Sequence, residues 1–130
     1  MGLIIRLLVC GSRYWSNEKA IRKQLQRLPK NTIIIHGAQK RWDSDERRYT
    51  GADYLAGEIA KELGFKVEEY PADWDRFGKK DGMLRNKQML EEGKPDRIIA
   101  FTLDLSTSNG TRHMVGLGFE NEIPTRVFDR

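Results

Sequence analysis

Apolar residues fall in short dense runs that alternate with longer one-sided patterns. Residues 3–10 (LIIRLLVC) are almost continuously apolar, as in a strand buried on both faces. Residues 17–28 place Ile21, Leu25 and Leu28 on one side of a helix, with Lys, Arg and Gln on the other. Residues 31–36 (NTIIIH) read as a second strand. Residues 50–63 carry the clearest helical stripe, namely Ala52, Leu55, Ala56, Ile59, Ala60 and Leu63. Thr50 can cap that helix and Gly64 can stop it. Residues 65–70 form a third strand closed by Pro71. A helix over 82–92, bounded by Gly93-Lys94-Pro95, leads to a strand over 96–102 (DRIIAFT). A helix over 110–119 and a short strand over 125–128 complete the chain.

Strands that alternate with helices imply right-handed crossovers and a parallel sheet. The expected class is α/β: a three-layer Rossmann-like fold whose mostly parallel sheet of about five strands is flanked by helices, forming one domain over residues 1–130. Ligands of such sheets sit beyond the carboxyl ends of the strands, where strand order reverses. The residues after each strand therefore decide the chemistry.

Composition narrows the picture only modestly. The chain has 130 residues, 38% hydrophobic and 32% charged, with a formal charge of +4. It holds no apolar run of the roughly 20 residues that cross a bilayer, so no membrane association is expected. The first apolar stretch is interrupted by Arg6 and runs into Gly11-Ser12-Arg13 without a cleavage pattern, which reads as a strand and not a signal peptide. Cys10 is the lone cysteine, excluding an internal disulfide and fitting a reducing, cytoplasmic setting. It reads as a small buried apolar residue. The positive balance permits an anionic partner without distinguishing nucleic acid from a small phosphate compound.

Small and polar groups converge on one edge. Ser106-Thr107-Ser108-Asn109-Gly110-Thr111 opens a helix, whose free N–H groups, with a glycine and hydroxyls, suit a phosphate; an ordinary polar cap is the plainer reading. Gly11-Ser12-Arg13 is a second such turn, lacking both G-x-G-x-x-G and a Walker lysine. Arg85, followed by Asn86 near a helix start, can clamp a phosphate bidentately or simply be solvated. Asp73 and Asp75 flank Trp74; these suit ribose, proton transfer and base stacking, or a packed turn. His36 and His113 are the only histidines, and no ligand spacing supports a metal site. Ser12 lacks the nucleophile-elbow pattern, which sets aside a Ser-His hydrolase. Residues 39–49 (QKRWDSDERRY) lie where a lid would be, but read first as a mobile charged insertion.

Taken in order, Val9-Cys10-Gly11-Ser12-Arg13, His36-Gly37, Gly51-Ala52-Asp53, Pro71-Ala72-Asp73-Trp74, Arg85-Asn86-Lys87-Gln88-Met89 and Ser108-Asn109-Gly110-Thr111 resemble a known family. This is the YspA/YpsA-related branch of the SLOG superfamily, Rossmann-like proteins akin to DprA and to the Lonely Guy phosphoribohydrolases. The resemblance implies a nucleotide or nucleotide-derived ligand at the glycine-bearing loops. The expected ligand-binding residues are Gly11, Ser12, Arg13, Gly37, Gly51, Ala52, Asp53, Asp73, Trp74, Arg85, Asn86, Ser108, Asn109, Gly110 and Thr111. If the chain is an enzyme, Arg85 and Asp73 are its catalytic candidates.

The chain also departs from that family. Ala38 replaces a second glycine, and a charged stretch separates it from Gly51. Met114 falls where Lonely Guy enzymes carry a glutamate that assists N-glycosidic cleavage, and a thioether cannot act as acid or base. The expectation is therefore a sensor, carrier or sequestering protein for a nucleotide-like small molecule. The alternatives are a nucleotide N-glycosidase or phosphoester hydrolase and, ranked last, DprA-like nucleic-acid binding. No cofactor or metal is expected, and a homo-oligomer is compatible with the sequence.

Overall fold

The computed structural model describes residues 4–72 and 80–130, without the side chains of Lys80 and Asp81. Asp73, Trp74 and Asp75 lie outside the described residues. The main sheet contains β1 (Arg6–Gly11), β2 (Ile33–His36), β5 (Lys66–Glu69), β6 (Arg97–Phe101) and β7 (Thr125–Phe128). Its order is β5-β2-β1-β6-β7, and every neighbouring pair is parallel. The chain steps outward from β1 through β2 to β5, then returns to β1's other side with β6. Strand order thus reverses between β1 and β6, and the ends of these two strands frame the crevice.

Four helices cover the sheet among the described residues: α1 (Glu18–Leu25), α2 (Ala52–Glu62), α3 (Lys80–Gly93) and α4 (Asn109–Glu120). Alternation along the strands supplies a core on each face. Leu7, Val9, Ile34, Ile99 and Phe101 pack with Ile21 and Leu25 of α1 and with Leu55, Ala56 and Ile59 of α2. Leu8, Cys10, Ile35, Ile98 and Ala100 pack with Met89 of α3 and with Met114 and Val115 of α4. The result is an α/β Rossmann-like sandwich, as the sequence pattern implied. No described helix is long and apolar enough to cross a membrane.

Two local expectations are corrected. Residues 39–49 are not simply an irregular insertion: β3 (Arg41–Asp43) pairs antiparallel with β4 (Arg48–Thr50) in a hairpin. Trp42 and Tyr49 face each other edge-on across it, with ring centroids 5.1 Å apart. The hairpin is fastened at both its turn end and its base. Arg48 bridges Glu18 at 3.2 Å and donates to the Ser16 carbonyl, while the Thr50 hydroxyl donates to the Arg13 carbonyl at 2.9 Å. Thr50 is therefore committed to β4 and does not cap α2; Gly51 occupies that cap position, without a side-chain bond.

Gly11 closes the central strand at the tightest point of the crevice. A Cβ there would overlap the Phe101 carbonyl oxygen and lie 2.6 Å from the Ala52 Cβ. The Ser12 N–H donates to that same carbonyl at 2.9 Å, and the Ser12 carbonyl accepts from Ala52 N–H at 3.1 Å. The end of β1, the end of β6 and the start of α2 thus touch through backbone alone. Gly11→Ala is expected to cost about 2–3 kcal/mol through overpacking against rigid backbone. Urea unfolding measures this, and a loss of less than about 0.5 kcal/mol would mean the junction relaxes freely.

Candidate functional site

Two hollows, of about 580 and 850 Å³, open at the carboxyl edge of the sheet. They share Arg13, Gln39 and Arg85, so they form two lobes of one cleft. The first lobe is bounded by the loop after β2 (Gly37 to Lys40) and by Pro71 and Ala72 after β5. The second is bounded by Ser12 and Tyr14 after β1, by Gly82 and Met83 of α3, and by residues 107–113 at the start of α4. Its lining includes Arg13, Arg85 and Arg112, with no carboxylate among the described lining residues.

Arg85 stands at the junction of the lobes and is only 7% exposed. Its Nη1 donates to the Gly37 carbonyl at 2.5 Å and to the Tyr70 carbonyl at 3.5 Å, and its Nε donates to Asn86 Oδ1 at 3.1 Å. These partners are all neutral. Arg85 forms no ion pair with a described carboxylate, and Nη2 has no hydrogen-bond partner among the described residues. A desolvated guanidinium with spare donors is costly unless an anion joins it. Gly37 makes room for it, because a Cβ at that position would overlap the guanidinium.

The start of α4 faces the same space. Ser108 occupies the cap position but its side chain accepts no backbone N–H of the first turn; its hydroxyl instead donates to Thr111 Oγ1 at 2.7 Å. The N–H groups of Asn109, Gly110 and Thr111 have no backbone acceptor among the described residues, and the helix dipole makes this end favourable to negative charge. Arg112 reinforces the turn by donating to the Ser106 carbonyl and to Asn109 Oδ1, each at 2.9 Å. Asn86, 3% exposed, ties α3 to this turn: its Nδ2 donates to the Gly110 carbonyl and meets His113 Nδ1, both at 3.1 Å.

Beneath the first lobe lies a buried acid. Asp53 is 4% exposed and accepts the Gln39 N–H at 3.2 Å. Burial pushes its carboxyl up to about 6, against the opposing pull of Arg85 and of N–H bonds from Gln39 and Gly37. Burial likewise raises the Cys10 thiol, with Asp53 adding to the effect, so Cys10 stays a neutral thiol. His36 is 2% exposed; burial pulls its imidazole down to about 4, with Glu69 opposing. Its Nδ1 accepts the Ala38 N–H at 2.9 Å, and its ring fills the space above Gly57 that a Cβ would occupy. His36 is thus a neutral packing residue that shapes the loop after β2.

The sequence model of the YspA, cpYpsA-related SLOG family (YAcAr) matches residues 5–77. The chain belongs to this family. It is also 36% identical over 132 residues to the gene 61 protein of Mycobacterium phage D29, a match that covers 95% of each chain. SLOG membership points to a nucleotide-related role in binding or processing a ligand. The span matched to the family holds the turn at Gly11, the loop at Gly37 and the start of α2, whereas Arg85 and the α4 turn lie beyond it.

The structure gathers Ser12, Arg13, Gly37, Arg85 and residues 108–111 of the expected set around the cleft. Gly11, Gly51, Ala52, Asp53 and Asn86 stand behind that lining and shape it. Asp73 and Trp74 fall outside the described residues. Met114 is fully buried in the core and lines neither lobe. Sequence reasoning missed His113 as a cleft residue. Its signal was the spacing: three positions after Gly110 on a helix, it shares the face of the first turn. No group of three or more His, Cys, Asp or Glu that could hold a metal occurs among the described residues.

The two buried titrations oppose each other. Asp53 is raised from 3.8 to about 6, so its contribution to stability is full at low pH and is lost as pH rises through that interval. His36 is lowered from 6.5 to about 4, so its contribution is full above 6.5 and is lost as pH falls toward 4. Asp53→Asn should remove the first slope and leave the second. Subtracting the wild-type unfolding free energies from those of the variant between pH 4 and 7 should show a gain that grows with pH, to ~3 kcal/mol. A flat difference would mean that Asp53 ionises normally.

Proposed function

We propose that this SLOG protein binds a nucleotide-derived phosphate ligand across the cleft and acts as a sensor, carrier or sequestering protein. The observation that carries this reading is the guanidinium of Arg85, buried among partners that are neutral among the described residues and opening onto both lobes. Its Nη2 and the N–H groups of the α4 turn, without partners among the described residues, together suit the dispersed charge of a phosphate. Arg13 and Lys40 at the rim add long-range attraction.

Binding is favoured over hydrolysis by what surrounds that anchor. At the position of the Lonely Guy glutamate, Met114 turns into the core. Asp53 supports the loop from behind and is spent on backbone N–H groups. Neither places a carboxylate in the described lining, so the described residues hold a phosphate without supplying a group to cleave its neighbour.

Thermal denaturation against a panel of nucleoside mono- and diphosphates should find a compound that stabilises the wild type by mass action, ~2.7 kcal/mol at a hundredfold excess over Kd. Arg85→Ala should abolish that shift. Gly37→Ala should weaken it as well, since the added Cβ would displace the guanidinium from its carbonyl partners. Undiminished binding by both variants would overturn the reading. Chromatography of the stabilising compound after incubation is expected to return it intact; turnover to free base or ribose phosphate would establish the hydrolase instead.

A further inference from the structure

We infer that Asn86 holds His113 as a neutral imidazole protonated on Nε2, so that His113 serves the second lobe as a fixed hydrogen-bond donor and not as a proton carrier. The assignment follows from counting donors and acceptors. Arg85 Nε can only donate, so the Asn86 atom 3.1 Å away must be the amide oxygen. The Gly110 carbonyl can only accept, so the Asn86 atom 3.1 Å from it must be the NH2 group. The amide orientation is therefore fixed from both sides. Flipping it would set NH2 against the guanidinium N–H and oxygen against the Gly110 carbonyl.

That NH2 group also meets His113 Nδ1 at 3.1 Å. With a donor facing it, Nδ1 must accept, and the single ring proton of the neutral form then resides on Nε2. Charging the ring would place Nδ1–H against Asn86 N–H, and Asn86 cannot turn to accept it. The groups around the ring agree. Burial and Lys87 on α3 pull the imidazole below its ordinary value, while Glu120 on α4 opposes them. Arg85 reaches the ring only through Asn86, and Arg112 is committed to Ser106 and Asn109.

The consequence concerns both ligand choice and chemistry. The wall of the second lobe offers donors from guanidinium, helix N–H groups, hydroxyls and now an imidazole N–H, which selects a ligand rich in acceptors, such as a phosphate or a base carbonyl. The side chain next to Met114 is also removed as a substitute acid or base. The ligand half of this inference rests on the function proposed above; the tautomer does not.

Long-range proton–nitrogen spectra of the nitrogen-15-labelled full chain test it directly. The chain has two histidines, and His113→Gln identifies which signals belong to His113. At neutral pH, His113 should show a bare Nδ1 and a protonated Nε2 without averaging, with a titration midpoint below 6.5. Averaged nitrogens, or a proton on Nδ1, would overturn the lock. Asn86→Asp replaces the facing donor with an acceptor, so the midpoint should rise by about one unit or more; an unchanged midpoint also overturns it. Should that buried variant fail to fold, the wild-type spectra decide alone. Using adenosine 5′-monophosphate and inorganic phosphate as probes, His113→Phe should weaken nucleotide binding by about tenfold. Equal affinity removes the donor role. If the wild type binds neither these nor any other nucleotide, the proposed function and the donor role fall together, and the spectra still decide the tautomer.

Discussion

A guanidinium in the interior imposes conditions on everything around it. Arg85 needs acceptors, and the ends of β2 and β5 provide them through the Gly37 and Tyr70 carbonyls. It needs space, which Gly37 provides by lacking a side chain. It needs its remaining edge fixed, which Asn86 does while reaching across to the first turn of α4. Two strand ends, one helix and the opening turn of another are thereby set relative to a single charged group. The crevice at the reversal of strand order supplies the location, and the guanidinium supplies its chemical character.

Asp53 belongs to the same constraint. It feels the charge of Arg85 yet makes no ion pair with it among the described residues, and its oxygens hold the N–H groups of the loop that borders the first lobe. A direct Arg–Asp pair would satisfy both charges and leave nothing for an incoming anion. Keeping them apart, with backbone between, leaves the guanidinium without a carboxylate partner among the described residues. The cost is a carboxyl group shifted upward.

Much of the fold was legible because strands buried on both faces leave dense apolar runs, and the helices between them leave one-sided stripes. Residues 3–10, 31–36 and 96–102 read as buried strands; β2 and β6 lie within the last two, and β1 within the first but for its last residue, Gly11. The hairpin was not legible. Its strands carry no alternating apolar pattern, and its order comes from the Trp42–Tyr49 contact and from anchors distant in sequence, Arg48 to Glu18 and Thr50 to Arg13. Thr50 looked like a helix cap because Thr, Gly and Asp before an apolar stripe is a capping pattern; only tertiary contact shows where its hydroxyl goes. Arg85 could be nominated from its position on a helix near the strand ends. Its burial and its neutral partners could not, since they depend on carbonyls donated by remote loops. His113 was invisible for a related reason: its state is set by Asn86, which lies 27 positions earlier in the chain.

The hairpin's fastening has a mechanical meaning. Thr50 and the stacking of Arg41 on Tyr14 at 4.6 Å join its base, and Arg48 joins its turn end, to residues 13–18 between β1 and the first residue of α1. Trp42, half exposed, stands between those attachments. The hairpin is a short beam pinned at both ends, one at the Arg13 carbonyl and the other at Ser16 and Glu18. A load on Trp42 is therefore shared between the cleft wall at Arg13 and the start of α1 at Glu18.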